Sequence, residues 1–230
     1  MSAAGTLFVT GTGTEIGKTL VAAALCHELR TQGRAVRALK PVLSGYDPAA
    51  REESDPGVLL ASLGEPVTEV AVAAIAPWRF SAPLSPDMAA AREGRSLVLD
   101  EIVAFCRAAD GDPLLVEGIG GAMVPLDGRH TVLDWMAALG APALVVAGSY
   151  LGTISHTLTT LAAMRGRGVE VAGLVISESV ESPVPPAETA EAINRHAGPL
   201  PIALVPRLPA DPAPWRAAAP LAATFGLHDR

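Results

Sequence analysis

The sequence is poor in cysteine and in clustered basic residues, and each scarcity narrows the possible functions. Only two cysteines occur, Cys26 and Cys106, and neither belongs to a Cys-x-x-Cys or zinc-ligand spacing. We therefore predict two buried, reduced thiols rather than a disulfide framework or a zinc site. The formal net charge is -7. No basic run could neutralise a phosphodiester backbone, so we expect no nucleic-acid partner.

Long apolar runs are missing as well. No segment offers the roughly 18 consecutive strongly apolar residues that a membrane-spanning helix needs. The first residues, Met-Ser-Ala-Ala-Gly, lack the basic start and apolar stretch of a signal peptide. We therefore expect no membrane partner and a soluble, cytoplasmic protein. Hydrophobic residues make up 50% of the chain, which is enough for one substantial core.

Short apolar runs alternate along the chain with longer helical patterns. The runs predicted as strands are apolar at most positions, as parallel strands covered on both faces are: 6–10, 35–39, 113–118, 142–148, 171–177 and 201–206. The segments predicted as helices are 18–31, 97–109, 131–139, 154–167 and 186–196. This alternation predicts a single α/β domain, residues 1–230, with a doubly wound, mostly parallel sheet. Surface loops are expected at 46–57 and 178–187, and the tail is expected to form a loop and one short helix.

The segment FVTGTGTEIGKTL, residues 8–20, joins the first predicted strand to the first predicted helix. Glycines permit a sharp turn there and a close approach of backbone N–H groups to phosphate. Lys18 would place its ammonium on terminal phosphates, and Thr19 would offer a hydroxyl to Mg²⁺. The usual phosphate-loop register requires glycine at position 12, where this chain has Thr12 between Gly11 and Gly13. We predict a nucleoside triphosphate site with a loop of unusual register.

Two further strand ends carry charged residues. Lys40 follows the second predicted strand, and ligands bind at the carboxyl edge of open α/β sheets, so Lys40 could reach the same phosphate as Lys18. Solvated charge is the equally weighted alternative for Lys40. Glu117 ends a buried strand and precedes a glycine-rich turn, where a carboxylate can hold Mg²⁺. Asp55 could add another oxygen, although Asp-Pro-Gly taken alone predicts a turn.

Taken together, these segments resemble the dethiobiotin synthetase family. The resemblance rests on VTGTGTEIGKT, KPVLSG, VEGIGGAMVPL, LDW and LGTISHTLTTLAAMRGRGVEVAGLV, which follow one another from residue 8 to about residue 177. The phosphate loop with Gly11, five intervening residues and Gly-Lys-Thr is the form that this family uses. The resemblance implies a P-loop NTPase-like fold, ATP as co-substrate, Mg²⁺, and ring closure of 7,8-diaminononanoate with CO₂.

The resemblance also implies roles for individual residues. Lys18, Lys40, Thr14 and Glu15 would be catalytic, with Thr14 and Ser44 donating hydrogen bonds to a carbamate and Glu15 facing the substrate amines. Mg²⁺ would be held by Thr19, Asp55 and Glu117. The nucleotide would be contacted by Gly13, Thr14, Glu15, Ile16, Gly17, Lys18, Thr19, Asp55, Glu117, Gly118, Ile119, Gly120, Ser177, Glu178, Pro206, Arg207 and Leu208.

The resemblance further implies a homodimer in which residues 150–156 of a second subunit complete the substrate site. Leu151, Gly152 and Ser155 would contact the substrate there. The family often has asparagine after the GLV-x strand to contact the adenine edge, whereas this chain has Ser177-Glu178. A shorter side chain with one donor predicts weaker selection of adenine, for which the backbone of residues 206–208 could compensate.

Two other functions share parts of this pattern. An amide-forming enzyme of the cobyrinate diamide synthase kind would need a glutaminase domain, for which this chain has no room. A ParA-type ATP switch would carry a second lysine five positions before Lys18, where this chain has Gly13. Both are therefore less favoured than a dethiobiotin synthetase.

Overall fold

A computed structural model of the chain describes residues 5–227. Its main feature is a six-stranded sheet with the strand order β2-β5-β1-β6-β7-β8, in which every neighbouring pair is parallel. The strands of this sheet are β1 Thr6–Gly11, β2 Arg37–Leu39, β5 Leu114–Glu117, β6 Ala143–Gly148, β7 Val171–Ser177 and β8 Ile202–Val205. The predicted doubly wound α/β fold is confirmed.

Helices connect the strands and cover the sheet. They are α1 Lys18–Thr31, α2 Asp55–Leu63, α3 Glu69–Ile75, α4 Pro86–Arg92, α5 Leu99–Arg107, α6 Val132–Leu139, α7 Thr153–Gly166 and α8 Pro186–Ala197. Two short strands, β3 Val42–Ser44 and β4 Trp78–Phe80, form a separate parallel pair. None of the helices in residues 5–227 is long and apolar enough to cross a membrane.

The core lies between the sheet and its helices, and the central strands are buried throughout. Every residue of β5 and β6 is buried, which explains why these strands are apolar at almost every position. Phe8 of β1 packs edge-to-face against Trp135 of α6, with ring centroids 4.9 Å apart. Both cysteines are free and buried, as predicted.

The strand order places the predicted site at one edge of the sheet. Because β1 lies between β5 and β6, the chain proceeds to one side of β1 first and to the other side later, which opens a crevice at the carboxyl ends of the strands. Val9 pairs in register with Glu117, and Gly11 pairs with Val146. The loop after β1 is therefore adjacent to the residues that follow β5 and β6.

Several expectations for the connecting segments were wrong. The predicted loop at 46–57 contains a short 3₁₀ helix, Pro48–Ala50, and the first residues of α2. Asp55-Pro56-Gly57 opens α2 rather than forming a turn, because the Ser54 hydroxyl accepts the Gly57 N–H and proline suits the first helical turn. The strands β3 and β4 and the helices α2, α3 and α4 were not predicted.

The tail also differs from the expectation of one short helix. It forms two short 3₁₀ helices, Pro214–Ala217 and Ala222–Phe225, and Trp215 is buried. The Glu28 side chain of α1 accepts backbone N–H groups from Leu221 and Ala222, which fixes the tail to the helix that follows the phosphate loop.

Candidate active site

The loop between β1 and α1 has the backbone conformation expected of a phosphate cradle. Gly17 directly precedes α1 with φ 93°, and Glu15 has φ 57°, which is unusual for a residue with a side chain. A Cβ at position 11 would lie 2.5 Å from Ile16 Cδ1 and 3.0 Å from the Val146 carbonyl oxygen. The loop thus folds back onto β1 and β6, and this close approach explains why glycine stands at position 11.

Lys18 is the first residue of α1, and its ammonium group lies back against the phosphate loop. Its Nζ donates to the carbonyl oxygen of Gly13 at 2.6 Å. Burial and the nearby Lys40 ammonium lower the pKa of Lys18 from 10.5 to about 8, and the carboxylates of Glu117 and Asp55 oppose this shift. The side chain therefore stands where the N-terminus of α1 and an ammonium group can together bind an anion.

Lys40 points toward the phosphate loop, as the functional interpretation required. It is 2% exposed, and its Nζ lies 2.8 Å from each of three acceptors: Glu117 Oε1, the Gly118 carbonyl oxygen and Asp55 Oδ2. Burial alone would lower the pKa of Lys40, but the two carboxylates outweigh it and raise that pKa overall. Solvated charge is therefore the wrong description of Lys40.

Thr19 lies between the same two carboxylates. Its hydroxyl lies 2.9 Å from Asp55 Oδ1 and 2.8 Å from Glu117 Oε1. Despite the cost of burial, the Lys40 ammonium and the hydrogen bonds of Lys40 and Thr19 lower the pKa of Asp55. Burial raises the pKa of Glu117, and Lys40 opposes that shift. The structure thus brings together Thr19, Asp55 and Glu117, the residues predicted to hold a metal.

A cavity of about 920 Å³ opens in front of these residues. Thr14, Glu15, Ser44, Ile119 and Gly120 line it together with the two lysines, the two carboxylates and Thr19. The Ser44 hydroxyl is buried and has no hydrogen-bond partner among the described residues, and the same holds for Glu117 Oε2. Buried polar atoms are rarely left without partners, so both mark places where a ligand group would be accommodated.

Part of this cavity was missed from the sequence. The missed lining residues are Leu43, Gly45, Pro83, Leu84, Ser85, Pro86 and Val124. Most of them belong to the segments around β3 and α4, which the sequence analysis left unassigned. Two prolines within SAPLSP, with Ser85 next to the second of them, were the available signal for a turn and a following helix.

A second cavity, of about 590 Å³, lies on the other side of Gly17. Residues predicted to contact the nucleotide line it: Ile16 and Gly17 of the phosphate loop, and the predicted base-contacting residues Ser177, Glu178, Pro206, Arg207 and Leu208. Glu178 Oε2 accepts the backbone N–H of Arg207 at 2.9 Å, which holds the ends of β7 and β8 together. Glu15 and Gly17 line both cavities, so a single extended ligand could occupy the two.

Tyr150, the first residue of the segment predicted to serve a second subunit, lines the second cavity, but the three residues expected to contact the substrate lie apart from both cavities. Among the described residues that line the two cavities, Leu151, Gly152 and Ser155 do not appear. Leu151 is 86% exposed, and Gly152 precedes α7 with φ 98°. One copy of the chain therefore does not bring these three residues to the lysine pair.

The sequence of the chain matches a family model and several curated proteins. A family model described as an AAA domain matches residues 5–213. The ATP-dependent dethiobiotin synthetase BioD of Acidiphilium cryptum (strain JF-5) is 54% identical over 198 residues, which cover 84% of this chain and 89% of that protein. The chain belongs to the dethiobiotin synthetase family. The protein of the same name from Methylobacterium nodulans is 52% identical over 201 residues, with the same coverage.

A solved structure resembles this member of the dethiobiotin synthetase family in fold. The signal recognition particle receptor FtsY from Elizabethkingia anophelis, determined in complex with GDP, superposes with a TM-score of 0.51 at 13% identity. The match covers 96% of this chain and 62% of that protein. At this identity the likeness concerns the fold alone, and the phosphate loop after β1 is consistent with it.

Proposed function

We propose that the chain, acting as one domain, uses ATP to close the ureido ring of dethiobiotin from 7,8-diaminononanoate and CO₂, a carbon–nitrogen ligation in biotin biosynthesis. The observation that carries the proposal is the convergence of Lys18 and Lys40 on one cavity of about 920 Å³ beside the phosphate loop. The reaction joins an anion made from CO₂ to an anionic triphosphate, and two ammonium groups at one place offset that repulsion.

The chemistry proceeds in three steps. One amine of the substrate captures CO₂ as a carbamate and releases a proton. A carbamate oxygen then attacks the γ-phosphorus of ATP, and ADP leaves. Finally the second amine attacks the carbonyl carbon of the carbamic–phosphoric anhydride, so that the ring closes and phosphate departs. Each step moves negative charge within the reach of compact ammonium groups, for which lysine is suited.

The positions of the polar side chains fit these steps. Lys18, at the start of α1, would contact the β- and γ-phosphates, and backbone N–H groups of residues 13–19 would bind the remaining oxygens. Lys40 would stand between the γ-phosphate and the carbamate. Thr14 and Ser44 would donate hydrogen bonds to the carbamate oxygens, and the buried Ser44 hydroxyl has no partner within residues 5–227. Glu15 would face the substrate amines.

The residues at the carboxylate pair fit Mg²⁺. Thr19, Asp55 and Glu117 present only oxygen atoms, the ligand type that Mg²⁺ prefers, and Glu117 Oε2 is buried with no partner in the described part of the chain. Only two of the three are carboxylates, and residues 5–227 contain no group of three or more His, Cys, Asp or Glu side chains that could hold a metal ion. When bound, Mg²⁺ would neutralise charge on the triphosphate.

A second copy of the chain would complete the substrate site. Leu151, Gly152 and Ser155 lie outside the cavities of their own chain, and Leu151 is exposed. An exposed leucine beside a helix N-terminus suits the aliphatic chain and carboxylate of the diamine. We propose a homodimer on this ground. The ATP requirement and the free, buried cysteines favour a cytoplasmic location.

The test is incubation of the protein with the diamine, bicarbonate, Mg²⁺ and ATP, followed by mass analysis. We expect a ureido product and one ADP per product. Omission of the diamine or bicarbonate should abolish ADP formation, and a Lys18→Ala variant should form neither product. If ADP forms at the same rate with and without the diamine, the result would instead support an ATP-driven switch.

A further inference from the structure

Tyr150 is an aromatic residue in the wall of the second cavity. Among the described residues that line this cavity, Tyr150 alone carries an aromatic ring, and aromatic residues make up only 4% of the chain. It follows β6, whereas the base-contacting residues predicted from the sequence lie at the end of β7 and after β7 and β8. Tyr150 was not among those predicted residues; the sequence analysis placed it only in the segment 150–156 expected to complete the substrate site of a second subunit, with no role for its own side chain.

Two contacts hold the ring in place. A Cβ at Gly148 would lie 2.7 Å from Tyr150 Cδ1 and 2.7 Å from Ser179 Oγ, so the missing side chain lets the ring pack over the end of β6. The Tyr150 hydroxyl lies 2.9 Å from His156 Nδ1 in the first turn of α7. A ring fixed at both ends loses little rotamer entropy when a ligand binds, because the ring is already ordered.

The strand ends around Tyr150 are themselves tied together. The Ser149 N–H donates to Ser179 Oγ at 3.0 Å, and the Ser179 N–H donates to Ser149 Oγ at 2.9 Å. Ser149 is fully buried. This reciprocal pair keeps the segment after β6 beside the segment after β7, so Tyr150 keeps its position opposite Ser177 and Glu178.

The cavity needs a flat apolar surface if it is to bind a nucleobase well. Ser177, Glu178 and the backbone of 206–208 offer polar groups for the edge of a base, but they offer little area for its face. We propose that the Tyr150 ring stacks on the nucleobase of the bound nucleotide and supplies much of its affinity. This inference rests on the proposed function only in assigning a nucleotide to this cavity.

Stacking has a consequence for specificity. Every nucleobase has a π-face, so a stacking residue adds affinity without distinguishing bases by their hydrogen-bonding edges. Ser177 has only a short hydroxyl with which to contact a base edge. The chain therefore relies on stacking more than on edge contacts. Removal of the ring should weaken the binding of ATP, GTP and CTP, and the two purine nucleotides should lose more affinity than CTP.

Isothermal titration calorimetry with ATP, abasic ribose triphosphate and inorganic tripolyphosphate tests the proposal. Loss of a base–aromatic stack worth about 1–3 kcal/mol raises Kd by about 5- to 150-fold. We expect Tyr150→Ala to raise the Kd of ATP by about tenfold and to leave the Kd of the two baseless ligands within about twofold. Tyr150→Leu provides a second ring-free variant of larger volume and should behave as Tyr150→Ala does.

Two control variants separate the ring from other effects. Tyr150→Phe keeps the ring and removes the bond to His156, so its Kd for ATP should rise less than about threefold. Val180 lines the same cavity and is 76% exposed but lacks a ring, so Val180→Ala should change that Kd by less than about twofold. Unchanged ATP affinity in both ring-free variants would overturn the proposal, and so would equal weakening of the baseless ligands. Failure of the wild-type protein to bind ATP would defeat the proposed function itself.

Discussion

Replacement of Lys40 by methionine tests the lysine–carboxylate cluster through both stability and turnover. Methionine has a similar length and fills a similar volume, so the change removes mainly the charge. Lys40 is 2% exposed and its partner Glu117 is 1% exposed. Removing one member of a buried ion pair costs about 3–5 kcal/mol, because the remaining charge stays buried without compensation. A domain of this size then loses roughly 10 °C in Tm.

The double variant Lys40→Met/Glu117→Gln separates the loss of stability from the loss of turnover. It removes the buried carboxylate that methionine alone leaves unpaired, while Asp55 retains solvent access. We expect the double variant to recover at least half of the lost free energy of unfolding. Turnover should not recover, because the ammonium beside the γ-phosphate is still missing. By analogy with removal of an oxyanion-hole donor, both variants should be about 10²–10³ slower than wild type.

The pH dependence of Lys40→Met provides a further check. Without Lys40, burial raises the pKa of Glu117 further above its value in the unfolded chain. A folded carboxyl with a raised pKa holds a proton that the unfolded chain releases, so stability falls as the pH rises toward the folded pKa. The deficit of Lys40→Met against wild type should therefore be smaller at pH 5 than at pH 8. Urea titrations at both pH values measure it. Wild-type stability together with near-normal product formation in Lys40→Met would refute the reasoning.

Three other predictions address the phosphate loop and the base cavity. The pKa of Lys18 is lowered to about 8, so above pH 8 much of Lys18 is neutral and should take up a proton when ADP binds without Mg²⁺. Below pH 7 Lys18 is already charged, and ADP binding should take up few protons. Calorimetry in buffers of different ionisation enthalpy measures the number of protons taken up. Lys18→Arg should abolish that uptake, since arginine stays charged throughout. Gly17→Ala should lower Tm by several degrees, because φ is 93° at this position and the new Cβ would lie 2.6 Å from Ser177 Oγ. Gly13→Ala is the matched control: a Cβ there has no atom within 4 Å, so Tm should stay within about 1 °C of wild type. Ser177→Asn should raise the preference for ATP over GTP and CTP in competition assays, and equal preferences in both proteins would count against edge contacts at this position.

The sequence predicted the central sheet because its strands are buried on both faces. In β5 and β6 nearly every residue is apolar, and the central residues of β1 and β7 are apolar too. A short apolar run between two helical patterns is best interpreted as a buried strand. Glu117 ends the strand β5, Lys40 directly follows β2, and Lys18 begins the helix that comes after β1. Parallel strands end at the same edge, so their convergence could be predicted without coordinates.

Residues 41–96 could not be predicted in the same way. The strands β3 and β4 have three residues each, too short for a recognisable period. The helices α3 and α4 have seven residues each, and tertiary contacts rather than propensity stabilise helices of this length. The position of Asp55 was also hard to predict, because Asp-Pro-Gly suits a turn and a helix start equally well. In the structure the Ser54 cap favours the helix start. Apart from Ser44 and Asp55, the residues that line the cavity from this region were missed for that reason.

The transfer of oxygen from bicarbonate to phosphate tests the central claim most directly. In the proposed reaction a carbamate oxygen attacks the γ-phosphorus and stays on phosphate when the ring closes. With ¹⁸O-labelled bicarbonate, the diamine, Mg²⁺ and ATP, mass spectrometry should find one ¹⁸O in each phosphate released and one in the ureido carbonyl. Phosphate without the label, formed alongside the product, would contradict the account.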